Sequence, residues 1–237
     1  MTGSHQAEGA QAVTMRLSIV VPALDEADGI AAALDALAPL RASGHELIVV
    51  DGGSHDATLA LSRSRADHVL EGPRGRARQM NAGAALASGD VLLFLHADTR
   101  LPPEAAQRIA EALGQGAGWG RFDVRIQGRS RLLPLIAMLM NLRSRLTGIA
   151  TGDQAMFVRR DLFQRVGGFP DQPLLEDVEL SRRLRAVAVP ACLRERVLTS
   201  GRRWDTRGVW PTIVLMWRLR WRYWRGAAPD ELARAYR

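Results

Sequence analysis

The chain has 237 residues, 47% of them hydrophobic, which is enough to bury one substantial core and sets a single large domain as the expectation. Its net charge is +7, but all 32 basic residues are arginine, a bias that a GC-rich genome produces without functional cause, so charge alone does not carry a nucleic-acid or membrane reading. The single cysteine, Cys192, excludes an internal disulfide framework and a Cys-rich zinc site, and no stretch approaches the roughly 18 to 20 uninterrupted apolar residues of a membrane span.

Residues 1–14 are small and polar, without the basic start and apolar middle of a signal peptide, and are expected to form a disordered tail. Leu17-Ser18-Ile19-Val20-Val21-Pro22 is β-branched and closes on a proline, so it reads as the first strand. Ile30, Leu34, Leu37 and Arg41 then mark one amphipathic helix at three- and four-residue spacing. Glu46 to Asp51 is a second buried strand ending in an acid. Gly52-Gly53-Ser54-His55-Asp56-Ala57-Thr58 turns into a helix with Ser54 or Asp56 as its N-cap.

A short strand at His68 to Leu70 and a helix from about Gly75 to Ala87 lead to Val91-Leu92-Leu93-Phe94-Leu95. That run has the length of a strand buried on both faces and breaks off at His96-Ala97-Asp98-Thr99. The alternation of strand and helix calls for a parallel sheet covered on both sides, with the C-terminal ends of its strands along one edge. Asp25, Glu26, Asp51, His96 and Asp98 collect there, on the edge where open α/β sheets bind ligands. Each acid alone fits a cap or a solvated turn, whereas three strands ending this way argue for a site.

Beyond Pro102 and Pro103 the pattern gives a helix to about Leu113, a glycine-rich loop from Gly114 to Gly120 that contains Trp119, and a half-exposed, antiparallel strand at Arg121 to Ile126. Leu132 to Leu146 is a helix rich in Leu and Met, read most simply as packing, with an acceptor wall or lipid contact as alternatives. Gly152-Asp153-Gln154 precedes a short strand at Ala155 to Val158, and Asp161 to Gly167 is a short helix stopped by glycine. Glu176, Asp177 and Glu179 crowd a helix start. The helix dipole favours acids there, but one cap needs one acid, and adjacent carboxylates also set up a base near a metal or phosphate. From Trp204 the composition changes. Trp210, Ile213, Val214, Trp217, Trp221 and Trp224 recur at helical spacing among arginines, which suits either an anionic membrane surface or a terminal helix docked on the domain.

Taken together, Val20 to Glu26, Val49 to Thr58, Gly75 to Gly83, His96-Ala97-Asp98 and Glu176-Asp177 resemble the ordered motifs of family 2 glycosyltransferases, which are inverting enzymes of the GT-A fold. The resemblance covers roughly Leu17 to Trp204, and the short single-domain form is similar to the branch associated with arsenosugar or carotenoid-type glycosylation. It implies an α/β, Rossmann-like, mainly parallel mixed sheet with helices on both faces, a glycosyltransferase domain over 15–205 and an amphipathic helical tail over 206–237. It also implies a nucleotide-diphospho-sugar donor, UDP-linked by preference, against Pro22, Ala23, Glu26, Asp51, Gly53, Arg76, Asn81, His96, Ala97, Arg203 and Trp204. Asp98 would hold Mg²⁺ or Mn²⁺. Asp177 would be the general base beside Glu176, and Gly152, Asp153 and Gln154 would face a hydroxyl-bearing acceptor, either a small molecule or a lipid.

Three departures stand out. His96 occupies a place that is usually acidic in the metal motif, Gly52 replaces the second acid after the second strand, and Ser200 stands where a glutamine normally opens the closing motif. The competing readings are a sugar nucleotidyltransferase, which needs a glycine-rich, arginine-bearing loop where this chain has Pro22-Ala23-Leu24-Asp25-Glu26, and a non-enzymatic basic binder. No nucleic-acid partner is expected. The expected location is the cytoplasm, with peripheral attachment to the inner face of the plasma membrane as an open alternative.

Overall fold

The structure, a computed structural model, describes residues 15–236; the tail expected at 1–14 lies outside the described residues. Four strands, β1 (Leu17–Ala23), β2 (Glu46–Asp51), β3 (His68–Glu71) and β4 (Val91–Phe94), form the parallel half of one eight-stranded sheet. The helices between them are α1 (Ala27–Asp35), α2 (Ala38–Ala42), α3 (Thr58–Arg63) and α4 (Arg76–Leu86). The second half contains β5 (Thr99–Arg100), β6 (Trp119–Gln127), β7 (Met156–Arg159) and β8 (Ala191–Ser200). Around these run α5 (Ala105–Gly114), α6 (Leu133–Thr147), a 3₁₀ turn (Gly152–Gln154), α7 (Arg160–Arg165), α8 (Glu176–Arg185), α9 (Arg202–Arg207), α10 (Val209–Trp224) and α11 (Pro229–Tyr236).

The strand order is β3-β2-β1-β4-β7-β6-β8-β5, with β7 antiparallel to both β4 and β6, and β6 parallel to β8. Alternate residues of each strand go to opposite cores. Ile19, Val49 and Leu93 lie in one apolar cluster, and Val20, Ile48, Val50, Leu92 and Phe94 lie in the other. Both faces are therefore covered, which is why the apolar runs are continuous rather than alternating. Gly83 lets α4 lie against β1, since a Cβ there would overlap Val20.

Several local expectations change. The single helix expected over Ile30 to Arg41 is two helices, because Pro39 has no N–H and its ring crowds the preceding turn; it sits instead in the first turn of α2. The residue capping α3 is Ala57, although Asp56 still accepts the Thr58 N–H at 2.9 Å. Trp119 is not in a loop. It begins β6, is fully buried and donates its Nε1–H to the Ala188 carbonyl at 2.9 Å. The first half of β6 is buried rather than half-exposed, because β7 and β8 flank it and a helix covers it. On α6, packing accounts for Leu133, Ile136 and Ala137, while Leu135, Met138, Leu139, Leu142 and Leu146 are exposed. The boundary expected between 205 and 206 falls inside α9. No helix among the described residues is long and apolar enough to cross a membrane.

Candidate active site

The C-terminal ends of β1, β2 and β4 reach the same sheet edge, and hydrogen bonds tie their loops together. Buried Gln79 on α4 donates to the carbonyls of Ala23 and Val50, both at 2.8 Å, clamping the ends of β1 and β2. Asp25 holds a left-handed φ of 52° and accepts the His55 N–H at 2.8 Å, while the Ser54 hydroxyl receives the Asp25 N–H at 2.9 Å. A non-glycine residue in that region carries strain, which these cross-links hold in place. Asp51 is buried and spends both oxygens on the same turn, accepting from the N–H groups of Gly53 and Ser54 and from the Ser54 hydroxyl.

Above this scaffold lies a cleft of about 500 Å³. Pro22, Glu26, His96, Ala97 and Asp98 wall it from the sheet edge, and Arg76 enters from the first turn of α4. Asp153 lines it from the 3₁₀ turn, and Ser200, Arg203 and Trp204 from the end of β8 and from α9. Residues separated by more than a hundred positions thus form one basin. Its chemistry is mixed: arginines face acids without neutralising them all. Burial pushes the Glu26 carboxyl up, opposed by Arg202 at 3.4 Å and reinforced by the charge of Asp98. Burial lowers the Arg203 pKa, and its guanidinium stacks 3.8 Å from the Tyr236 ring centre with Nη1 buried and unpartnered. A buried guanidinium N–H without an acceptor is costly, so it marks a position suited to an anion.

A narrow recess opens beside the cleft and shares His96 with it, with Gly152, Glu176 and Asp177 on its walls. Leu175 turns the chain with φ 63°, setting both acids at the start of α8. Asp177 Oδ2 accepts the Gly152 N–H at 2.7 Å, and Oδ1 accepts the Val178 N–H at 2.7 Å. Each carboxylate oxygen has a second lone pair, so the group keeps acceptor capacity. Glu176 is almost wholly buried, 3.6 Å from Arg76; burial and then the neighbouring Asp177 charge push its carboxyl above the usual range. His96 Nδ1 lies 3.4 Å from Asp153, and its buried Nε2 has no partner. A Cβ on Gly152 would overlap the His96 ring, so only glycine fits that approach. Asp153 is held below the usual carboxylate range: burial works against its charge, but His96, Arg76 and Arg203 outweigh it.

Five residues assigned from sequence line neither the cleft nor the recess, among them Ala23, which is buried in the core, and Gly53, which belongs to the turn that Asp51 braces. Asn81 exchanges two hydrogen bonds with the backbone of Phe169, at 2.8 and 3.0 Å, and so fastens α4 to the segment before α8. Gln154 is fully buried and accepts the Thr151 N–H at 3.2 Å. Asp51 braces its own turn rather than opening on the cleft. The sequence reading also missed residues that do line the cleft: Arg202, Thr212, Met216 and Tyr236. It missed Arg143 of α6 as well, whose Nε and Nη2 are buried and unpartnered. Burial lowers the Arg143 pKa, against the attraction of Asp177 and Asp153. Among 32 arginines, no sequence signal separates this one.

Comparison with known proteins bears on this architecture. Residues 18–167 match the model of glycosyl transferase family 2. An uncharacterized glycosyltransferase of Mycobacterium tuberculosis is 32% identical over 190 residues, covering 75% of this chain and 72% of that protein. A mannosyltransferase of Pyrobaculum calidifontis, solved with GDP-Man and Mn²⁺, superposes with a TM-score of 0.64 at 20% identity, over 95% of this chain and 70% of that one. Staphylococcus aureus TarS in complex with UDP gives a TM-score of 0.63 at 19% identity; the match covers 78% of this chain and spans only 60% of that one. These likenesses show the GT-A fold.

Proposed function

The chain belongs to glycosyl transferase family 2, and from that premise we propose that it transfers a sugar from a nucleotide-diphospho-sugar, UDP-linked by preference, to an acceptor hydroxyl with inversion at the anomeric carbon. The observation that carries this reading is the junction at His96, where an arginine-lined cleft of diphosphate-sugar size meets a recess ending in Asp177. The nucleotide lies against Pro22, Glu26 and Ala97, with Arg76 and Arg203 toward the diphosphate. Bidentate guanidinium contacts suit phosphate oxygens. Asp153 and the Gly152 backbone face the acceptor.

The acceptor hydroxyl gives its proton to the Asp177 carboxylate as its oxygen bonds to the anomeric carbon. The bond from that carbon to the donor's phosphate oxygen breaks, and its electron pair leaves with the nucleoside diphosphate. Negative charge on the leaving group rises during this step, so the cations along the cleft favour the transition state over the ground state. Burial pushes the Glu176 carboxyl up and sets it against Arg76, whereas Asp177 stands on the recess wall with acceptor capacity to spare, which is why the base role goes to Asp177.

The Pyrobaculum calidifontis mannosyltransferase of the same fold was solved with Mn²⁺ and GDP-Man. The residues here fit a divalent cation that takes most of its ligands from the donor. Asp98 is an exposed carboxylate in the cleft wall, and the described residues contain no cluster of three ligand-type side chains that would hold an ion alone. Mg²⁺ sites of one or two carboxylates completed by phosphates and water are common. When bound by Asp98 and the donor, the cation would supply positive charge to the departing diphosphate.

The test is a donor screen that scores released UDP against GDP, followed by calorimetry and turnover of Asp177→Asn. Removing a general base costs roughly a hundredfold to ten-thousandfold in rate, with donor affinity kept. Turnover at the parent rate would overturn the assignment.

A further inference from the structure

The strongest feature outside the cleft is one face of α10. Trp210, Val214, Trp217, Trp221 and Trp224 follow one another at intervals of four and three residues, and they are 69, 62, 76, 58 and 80% exposed. At about 100° per residue they form a single stripe along the whole helix. The opposite face is occupied. Thr212 and Leu219 are buried, Val209 and Ile213 pack on the main core, and Thr212 and Met216 line the donor cleft. The helix is thus docked on the domain by one side, and its tryptophans point away from it.

Arginines border the stripe on both flanks. Helical spacing puts Arg218 and Arg225 along one side and Arg220 along the other. Arg225 also lies 5.3 Å from the ring centre of Trp221. A helix with this arrangement has too little apolar length to span a bilayer but the right cross-section to lie in its surface. Tryptophan, with a large apolar ring and one N–H, favours the depth of the lipid headgroups, and flanking arginines meet anionic headgroups there. An apolar patch of this extent on a monomer marks an interaction surface. The cations at its borders select a negatively charged occupant.

We infer that the tryptophan face of α10 docks this enzyme on an anionic lipid bilayer, with the helix in the headgroup plane and the donor cleft immediately behind it. Thr212 and Met216 make α10 a shared wall, so docking would set the cleft one helix thickness from the lipid surface. The inference is independent of the donor and base assignments, because binding to lipid is read without any substrate.

Flotation of the full chain with phosphatidylcholine vesicles, with and without phosphatidylglycerol, tests it. The expected result is co-flotation with the anionic vesicles that weakens as salt rises, together with a blue shift of tryptophan emission. Trp217→Ser with Trp221→Ser should lower vesicle affinity at least tenfold while the melting temperature holds, since both side chains are exposed. Arg218→Gln with Arg225→Gln should cost about fivefold per arginine on anionic vesicles and nothing on neutral ones. No flotation, or flotation indifferent to the tryptophan variant, overturns the inference. So does self-association that the tryptophan variant abolishes in a chain that ignores vesicles, because a second copy would then cover the stripe.

Discussion

Glu46 and Glu176 are each 3% exposed, yet they sit at opposite ends of the sheet and in opposite electrostatic states. Glu46 starts β2 at the closed, N-terminal edge. It accepts hydrogen bonds from the Ser18 hydroxyl and from the Ser88 N–H and hydroxyl, with His68 at 3.5 Å. Burial alone would raise its pKa, but those bonds overcome it and hold the carboxyl below its ordinary value. Glu176 stands at the open edge with Arg76 at 3.6 Å, and there burial wins and the pKa rises. The lesson is that the closed end satisfies its buried polar groups internally. The open end leaves His96 Nε2 and guanidinium N–H groups of Arg143 and Arg203 without protein partners, as a site that expects a ligand does.

The comparison is tested most severely at the open end. Asp98→Ala should cost several kcal/mol of transition-state stabilisation, roughly a thousandfold in turnover, and remove any difference in donor affinity between Mn²⁺ and a chelator measured by calorimetry. If the parent enzyme binds donor equally in both, the cation reading fails. Gly152→Ala should cost about a hundredfold in turnover, because the new methyl displaces the His96 ring and the Gly152 N–H that holds Asp177; a misplacement near 1 Å is enough for that. Unaltered kinetics in this variant would show that the recess does not need its present shape.

At the closed end the effects are on folding. Glu46→Gln should destabilise the chain by roughly 1 to 3 kcal/mol at neutral pH, read by urea denaturation, with donor affinity unchanged. The folded pKa of Glu46 lies below its unfolded value of 4.5, so its contribution is present above that value and lost as pH falls through the folded pKa. The Gln variant should therefore be less stable than the parent near neutrality and draw level in acid. Glu176→Gln gives the smallest effect and the opposite sign. Its folded pKa is raised above 4.5, so the stability tied to its protonated form is complete below that value and lost as pH rises through the folded pKa. The Gln variant should match the parent in acid and exceed it slightly at neutral pH; a neutral-pH loss instead would mean the Arg76 pairing outweighs burial.

Much of the parallel half was legible residue by residue. Glu46 to Asp51 and Val91 to Leu95 read as strands because an apolar run of that length bounded by polar residues has few other stable states, and the observed strands are Glu46–Asp51 and Val91–Phe94. The ordered motifs also implied the family, and the family model and the fold bear that out. What could not be read was direction. Asp51, Asn81 and Gln154 are polar residues within site motifs, but whether such a side chain faces a ligand or a backbone amide depends on what another element brings beside it. Phe169 takes Asn81, the Thr151 backbone takes Gln154, and the Gly53 turn takes Asp51.

By itself, then, the sequence determined the strand and helix periods, the set of acids along one sheet edge and the alternating tryptophans and arginines of the tail, because these follow from local spacing and backbone preference. Only the tertiary structure decided that α9, α10 and Tyr236 help wall the cleft, that Arg143 lies within electrostatic reach of Asp177 and Asp153, and that the tryptophans turn outward. Those outcomes depend on contacts between residues far apart in the chain, and such contacts are set by the packing of whole elements rather than by any local run.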